Sequence, residues 1–272
     1  MISNSKNPIR MLNGLVEHQH LIRTLIKRDI QERYRGSVLG MSWSLFHPVV
    51  MLLIYTFVFS FVFKARWNTG SSDTSEFALV LFPGMIAHSL LAENLSRAPS
   101  LVLSNVNYVK KIVFPLDILP LAAFGTTLFH SLISLLVWST FYIFVHHSFQ
   151  LTALYLPLIL LPLAFYCIGF AWIFSALGVF IRDIGQVTSI LSTVLLFLSP
   201  IFYPVSNVPE RFQVFMYMNP LTLIVEQIRD VLIWGVEPNW YALALTTGAS
   251  IMIAGIGFMV FQKTRPGFAD VL

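Results

Sequence analysis

From Met41 to Phe63 the chain passes without a single Asp, Glu, Lys or Arg. About 23 residues at 1.5 Å rise make a helix of roughly 34 Å, enough to cross the hydrocarbon core of a bilayer. In that layer every backbone N–H and C=O must be satisfied internally, which restricts a spanning chain to helices or a closed barrel. The stretch before it is of opposite character. Arg28 to Pro48 reads RDIQERYRGSVLGMSWSLFHP: a charged run (Arg28, Asp29, Glu32, Arg33, Arg35), a break at small residues (Gly36, Ser37, Gly40), then Trp43 and the apolar run. Cations favour the headgroup layer and Trp the interface, so this stretch marks the boundary between water and membrane.

Five further segments repeat the pattern. They run from Phe77 to about Leu95, Pro115 to Val145, Ala153 to Phe180, Ile184 to about Phe202, and Trp240 to Phe261. The expected fold is therefore an all-α integral membrane protein with six transmembrane helices. Composition agrees: 56% of residues are hydrophobic and 11% charged, against about 25% charged in a soluble domain. Pro120 falls early enough in the third span to be tolerated, whereas Pro157 and Pro162 predict kinks in the fourth. Residues 1–40 form a polar, basic segment without the apolar core of a signal peptide, and residues 41–272 form the membrane domain. Within residues 9–34, Leu21, Ile22, Leu25, Ile26 and Ile30 have helical spacing, with Lys27, Arg28, Glu32 and Arg33 opposite them. That pattern describes an amphipathic interfacial helix, or equally a helix packed on a partner subunit.

Residues 203–239 hold two apolar pieces, Val208–Met218 and Leu221–Ile233, each too short to span. Asn207 is placed to cap the first, and Asn219 with Pro220 to start the second. Glu226 and Arg229, three apart, are placed to pair on a helix. Two re-entrant helices fit, and so do two helices lying flat on the outer surface. The segment 97–113 is a loop with a short helix.

Lysine and arginine set the orientation. With the N-terminus inside, the inner cations are Lys6, Arg10, Arg23, Lys27, Arg28, Arg33, Arg35, Arg97, Lys110, Lys111, Arg182, Lys263 and Arg265; the outer ones are Lys64, Arg66, Arg211 and Arg229. Both termini are then cytoplasmic. This sidedness accounts for the net charge of +4 without a nucleic-acid partner.

Motifs of catalysis are absent from the sequence: there is no GxxxxGK[ST], HExxH or GxSxG. The one cysteine, Cys167, allows no intrachain disulfide and no cysteine metal cluster. His88 and His130 stand alone in their spans and read as helix-packing hydrogen bonders. Glu93 and Asp117 fall near the inner ends of spans. The span centres carry no charge, which argues against ion-coupled transport and leaves the work to be powered from outside this chain. Span one presents Trp43, Phe46, Phe57 and Phe61 near one face and Tyr55, Phe59 and Phe63 on another. Such rings suit the C–H faces of sugars, and equally suit plain packing.

The boundary stretch, together with RDIGQVTSILSTVLLFLSPIFYPVSNVPERF (182–212) and NPLTLIVEQIRDVLIWG (219–235), resembles the membrane subunit of type-two ATP-binding-cassette exporters of bacterial surface polysaccharide. That group handles O-antigen, capsule and teichoic acid. The resemblance covers nearly the whole chain after residue 20. It implies six spans, a homodimer in the inner membrane, two cytoplasmic ATPase subunits that bind the ATP and Mg, and no cofactor or metal in this chain. It implies an undecaprenyl-diphosphate-linked polysaccharide as substrate, and a coupling helix between spans two and three. On that basis the ATPase-docking residues are expected among Arg97, Leu101, Leu103, Ser104, Asn105, Val106, Tyr108, Lys110 and Lys111. The path between protomers is expected to be lined by Phe46 and Tyr55 of span one and Ser189, Ser192, Thr193 and Ser199 of span five. Arg33, Tyr34 and Arg35 are expected to receive the diphosphate, since a guanidinium fork matches phosphate oxygens; juxtamembrane anchoring is the other reading of the same arginines. A membrane enzyme of lipid or glycan modification is the alternative from another class.

Overall fold

The computed structural model describes residues 17–63, 67, 76–110 and 114–272. The described residues are helical or irregular, with no strand among them. Helix α1 (Gln19–Tyr34) is followed by α2 (Trp43–Tyr55), α3 (Glu76–Arg97), the short α4 (Val106–Lys110), α5 (Ile118–His146), α6 (Leu156–Phe180), α7 (Ile184–Phe197), α8 (Glu210–Tyr217), α9 (Thr222–Arg229), α10 (Trp240–Thr264) and α11 (Phe268–Val271). Among the described residues five helical stretches are long and apolar enough to cross a membrane: Gly40–Phe59, Glu76–Ser100, Ile118–His146, Leu151–Phe180 and Trp240–Val271. The fifth expected span is shorter than the sequence implies. Its helix, α7, has 14 residues, about 21 Å, because Pro200 cannot continue the ladder and the chain turns there.

Helix α3 is the centre. In Glu76–Ser100, 72% of the most apolar stretch is buried inside the chain, against 17% in Gly40–Phe59. Leu79, Leu91 and Leu95 of α3 meet Trp138 of α5, Ile159 and Leu163 of α6, and Leu221, Val225 and Val231 around α9 in one apolar core. Pro83 sits inside α3 and removes the N–H that would bond the Leu79 carbonyl. The indole Nε1–H of Trp138 donates to that carbonyl instead, at 2.9 Å. Helices α6 and α10 form the tightest pair, with Gly169 facing Gly257: a Cβ on Gly257 would lie 2.3 Å from the Gly169 oxygen. Small residues let membrane helices approach at the backbone, where dispersion replaces the missing hydrophobic drive.

Several local expectations need correction. Pro157 makes no kink, because it lies in the first turn of α6, where its missing N–H costs nothing; Pro162 is the one inside the helix. Asn207 does not cap α8: it closes a single turn, and Pro209 occupies the cap position. Asn219 does not cap α9 either: Leu221 occupies the cap position, and the Asn219 Oδ1 accepts from the Leu221 N–H at 2.9 Å in the turn that leads into the helix. The two short helices differ in kind. Helix α8 exposes Val214, Phe215 and Met218, whereas Leu221, Ile224, Val225 and Ile228 of the α9 segment are buried in the core.

Arg229 does not pair with Glu226. It is 3% exposed, and it is not an outer-loop cation. Its Nε donates to the Val80 carbonyl at 2.9 Å, its Nη2 to Ile201 O at 2.8 Å, and its Nη1 to Pro200 O. The break after α7 orphans carbonyls that no water can reach, and a planar fork of donors satisfies several of them together.

Candidate functional site

The boundary stretch folds back on the bundle. Helix α1 lays Leu25 and Ile30 inward against α5, and Ile26 fills the notch at Gly125, where a Cβ would come within 2.3 Å of its Cδ1. Its apolar face is therefore spent on its own chain. The chain then turns into α2 through Gly36 and Gly40, whose φ angles of 82° and 52° lie in the left-handed region that glycine adopts without strain.

This docking arranges ionic pairs along one end of the bundle. Arg33 Nη1 lies 2.5 Å from Glu93 Oε1. Arg97 Nη2 pairs with Asp29 Oδ2. Arg28 Nη1 donates to the Tyr108 hydroxyl at 2.7 Å. Asp117 and Arg265 stand 3.7 Å apart. The carboxylates at span ends thus hold the arginines of α1 and its neighbours rather than facing water alone. Sequence reasoning noted each charge and missed the pairing, which joins residues as far apart in the chain as Asp117 and Arg265; the sequence signal was the presence of carboxylates beside cations at the same expected depth.

Of the expected headgroup residues, Arg33 is therefore already bound on one side. Tyr34 is half-buried, with its hydroxyl 3.3 Å from His130 Nδ1, and burial raises its phenol above the ordinary value, keeping it a neutral donor. Arg35 is exposed. The Arg33–Glu93 pair separates two hollows. On one side is a wide groove of about 720 Å³ bounded by Asp29, Arg33, Arg97 and Ser192. On the other is a cavity of about 240 Å³ between α1, α2, α3 and α5.

The expected path residues divide. Phe46 is exposed, edge-on to Trp43 at 5.3 Å. Tyr55 is half-buried against Phe82 and opens into the cavity. Ser189 and Thr193 are exposed on α7, with the Thr193 hydroxyl bonded to Ser189 O. Ser192 reaches the groove, and its carbonyl meets His88 Nε2 at 3.0 Å. Ser199 does not belong with them. It is fully buried, donating to Leu195 O and accepting from Asn219 Nδ2.

In the 97–113 segment, Val102 is buried and Tyr108 stacks on Phe114 at 4.4 Å. Asn105 turns back to Leu101 O, leaving Leu101, Asn105 and Val106 half-buried. Leu103, Ser104 and Lys110 face outward. Lys111 lies outside the described residues, as do residues 1–16 and the expected loop cations Lys64 and Arg66.

The sequence profile of the ABC-2 type transporter family matches residues 20–233. The chain belongs to that family. It is accordingly the membrane subunit of a transporter whose ATPase subunits are separate chains. The chain is 25% identical over 253 residues to the O-antigen export system permease protein RfbA of Klebsiella pneumoniae, covering 93% of this chain and 95% of that one. It is 24% identical over 258 residues to the polysialic acid transport protein KpsM of Escherichia coli, with 92% and 95% covered. It is also 24% identical over 222 residues to the capsule polysaccharide export inner-membrane protein CtrC of Neisseria meningitidis, with 80% and 81% covered. Membership in a transport family removes the membrane-enzyme reading. Among the described residues, no cluster of His, Cys, Asp or Glu is placed to hold a metal ion.

Proposed function

We propose that this ABC-2 permease exports an undecaprenyl-diphosphate-linked polysaccharide, O-antigen first among the candidates, across the bacterial inner membrane. The observation that carries this reading is the end-to-end similarity to O-antigen and capsule export permeases. Capsular polysaccharide is the second reading, favoured by the KpsM and CtrC relatives; teichoic acid shares the same chemistry. In this reading α7 and the residues to about 202 make a sixth crossing, α1 lies at the cytoplasmic surface, and α8 and α9 are the re-entrant pair. Both termini are cytoplasmic. Two copies form the path at their seam, with span one and α7 facing it; the exposed faces of Phe46, Phe57, Phe61, Ser189 and Thr193 support that placement.

The 97–113 segment is the ATPase dock. An outward Leu103 beside polar Ser104 and Lys110 suits a short helix seated in a groove. Substituting Leu103→Asp with Val106→Asp should abolish ATP-driven glycan export in reconstituted vesicles and co-purification with the ATPase, while the permease still inserts. Retained export and retained ATPase binding would remove the assignment.

Arg35, with Arg33 at its side, receives the diphosphate. Arg35 has its whole fork free for bidentate phosphate contact, while Arg33 is oriented by Glu93. Lysine separates recognition from anchoring, because it keeps the charge and loses the fork. The double variant Arg33→Lys, Arg35→Lys should insert normally and export at a rate lowered by about tenfold or more, the scale of one lost charge-assisted hydrogen bond. Export at the normal rate by that variant, with failure of the double alanine variant to insert, would make these arginines anchors only.

A further inference from the structure

The cavity behind the Arg33–Glu93 pair is a built space with its own chemistry. Its walls come from four separate elements, so its shape is set by tertiary packing. At about 240 Å³ it is smaller than the roughly 300–1,000 Å³ that takes a drug-sized ligand, and so suits one small ring. The formal charges at its edge cancel, because Arg33 and Glu93 are paired; a free anion finds no net attraction there. Trp43 and Tyr55 supply aromatic surface. Ser131 and Tyr34 supply hydroxyls, and His130 supplies an imidazole. The Nε2 of His130 is buried and has no hydrogen-bond partner. A buried polar atom left unpaired is destabilising, and a ligand hydroxyl at that point would pair it.

We propose that this cavity binds a single neutral pyranose: the sugar that directly follows the diphosphate of the lipid-linked substrate. The proposal rests on the headgroup reading above, which places the diphosphate at Arg35 and Arg33; of these, Arg33 lines the cavity. Ring faces lie on Trp43 and Tyr55, His130 Nε2 meets one hydroxyl, and the Glu93 carboxylate accepts from another. The permease then reads the first sugar as well as the charge, and selects substrates by their lipid-proximal end.

The test uses the full-length chain in lipid nanodiscs and two probes: a short-chain polyprenyl diphosphate carrying one hexose, and the same lipid diphosphate without it. The sugar-bearing probe should bind about tenfold more tightly, the scale of one well-placed hydrogen bond with ring contact. His130→Ala should erase that difference and leave the sugar-free affinity unchanged, which also shows that the variant is folded. His130→Gln, which keeps a polar group, should restore part of it. Arg35→Ala should weaken both probes by the same factor. Equal affinity of the wild-type protein for the two probes would overturn the sugar site and leave the headgroup reading standing. An equal loss of both probes in His130→Ala would make the residue structural and overturn the site. Failure of both probes to bind the wild-type protein would overturn the headgroup reading and the sugar site with it.

Discussion

Arg229→Met should lower the melting midpoint of the purified protein by roughly 10 °C, corresponding to a loss on the order of 3 kcal/mol. Arg229 donates to three backbone carbonyls from two separate places, Val80 in α3 and Pro200 and Ile201 after α7. Methionine matches the volume and removes every donor. The carbonyls cannot turn to water, since Val80 and Ile201 are fully buried, and each orphaned group costs about 1–3 kcal/mol. The guanidinium also lies over the Trp67 ring, 4.4 Å from its centroid, and that contact is lost as well. Removing the charge returns part of the desolvation cost, but leaving one side of a buried polar cluster unmatched outweighs that gain. Arg229→Lys should fall between the two, because an ammonium presents its donors as a cone rather than as a flat fork. A differential scanning fluorimetry midpoint unchanged in Arg229→Met would show that these carbonyls find other partners.

Two glycines on α10, two positions apart, should respond in opposite ways to the same added methyl group. At Gly257 a Cβ would sit 2.3 Å from the Gly169 oxygen and 3.2 Å from its Cα. Both neighbours are backbone, so relief requires α6 and α10 to separate, and overpacking of this kind costs about 1–3 kcal/mol. At Gly255 nothing lies within 4 Å, and alanine gains up to about 1 kcal/mol in helix propensity. Gly257→Ala should therefore lower the melting midpoint, with Gly257→Ile destroying the monodisperse protein. Gly255→Ala should leave the midpoint unchanged or slightly raised. Similar responses at the two positions, read by size exclusion and melting, would mean that the contact at Gly169 does not hold the helix pair.

The spans were legible because a bilayer imposes a length and a polarity on each segment separately. Nothing outside Met41 to Phe63 is needed to see that it is long, apolar and uncharged, and Glu76–Arg97, Ile118–His146, Leu156–Phe180 and Trp240–Thr264 follow the same local rule. The boundary at Trp43 and the turn at Asn219 that precedes α9 were legible for a related reason, since interface residues and turn-forming side chains act within a few positions of themselves. The break in span five was visible only as Pro200, and its consequence was not. Whether a broken helix survives depends on who satisfies its carbonyls, and the answer, Arg229, lies 29 residues from Pro200. Spacing placed Glu226 three residues from that arginine and made a local pair reasonable; the bundle instead buries the guanidinium among backbone oxygens. The same holds at the opposite end. Arg33, Tyr34 and Arg35 look alike as a triplet, yet packing of α1 on α5 couples Arg33 to Glu93, couples Tyr34 to His130, and leaves Arg35 exposed. Periodicity and polarity are properties of neighbours along the chain. Partner choice among buried polar groups is a property of neighbours in space, and only the folded bundle decides it.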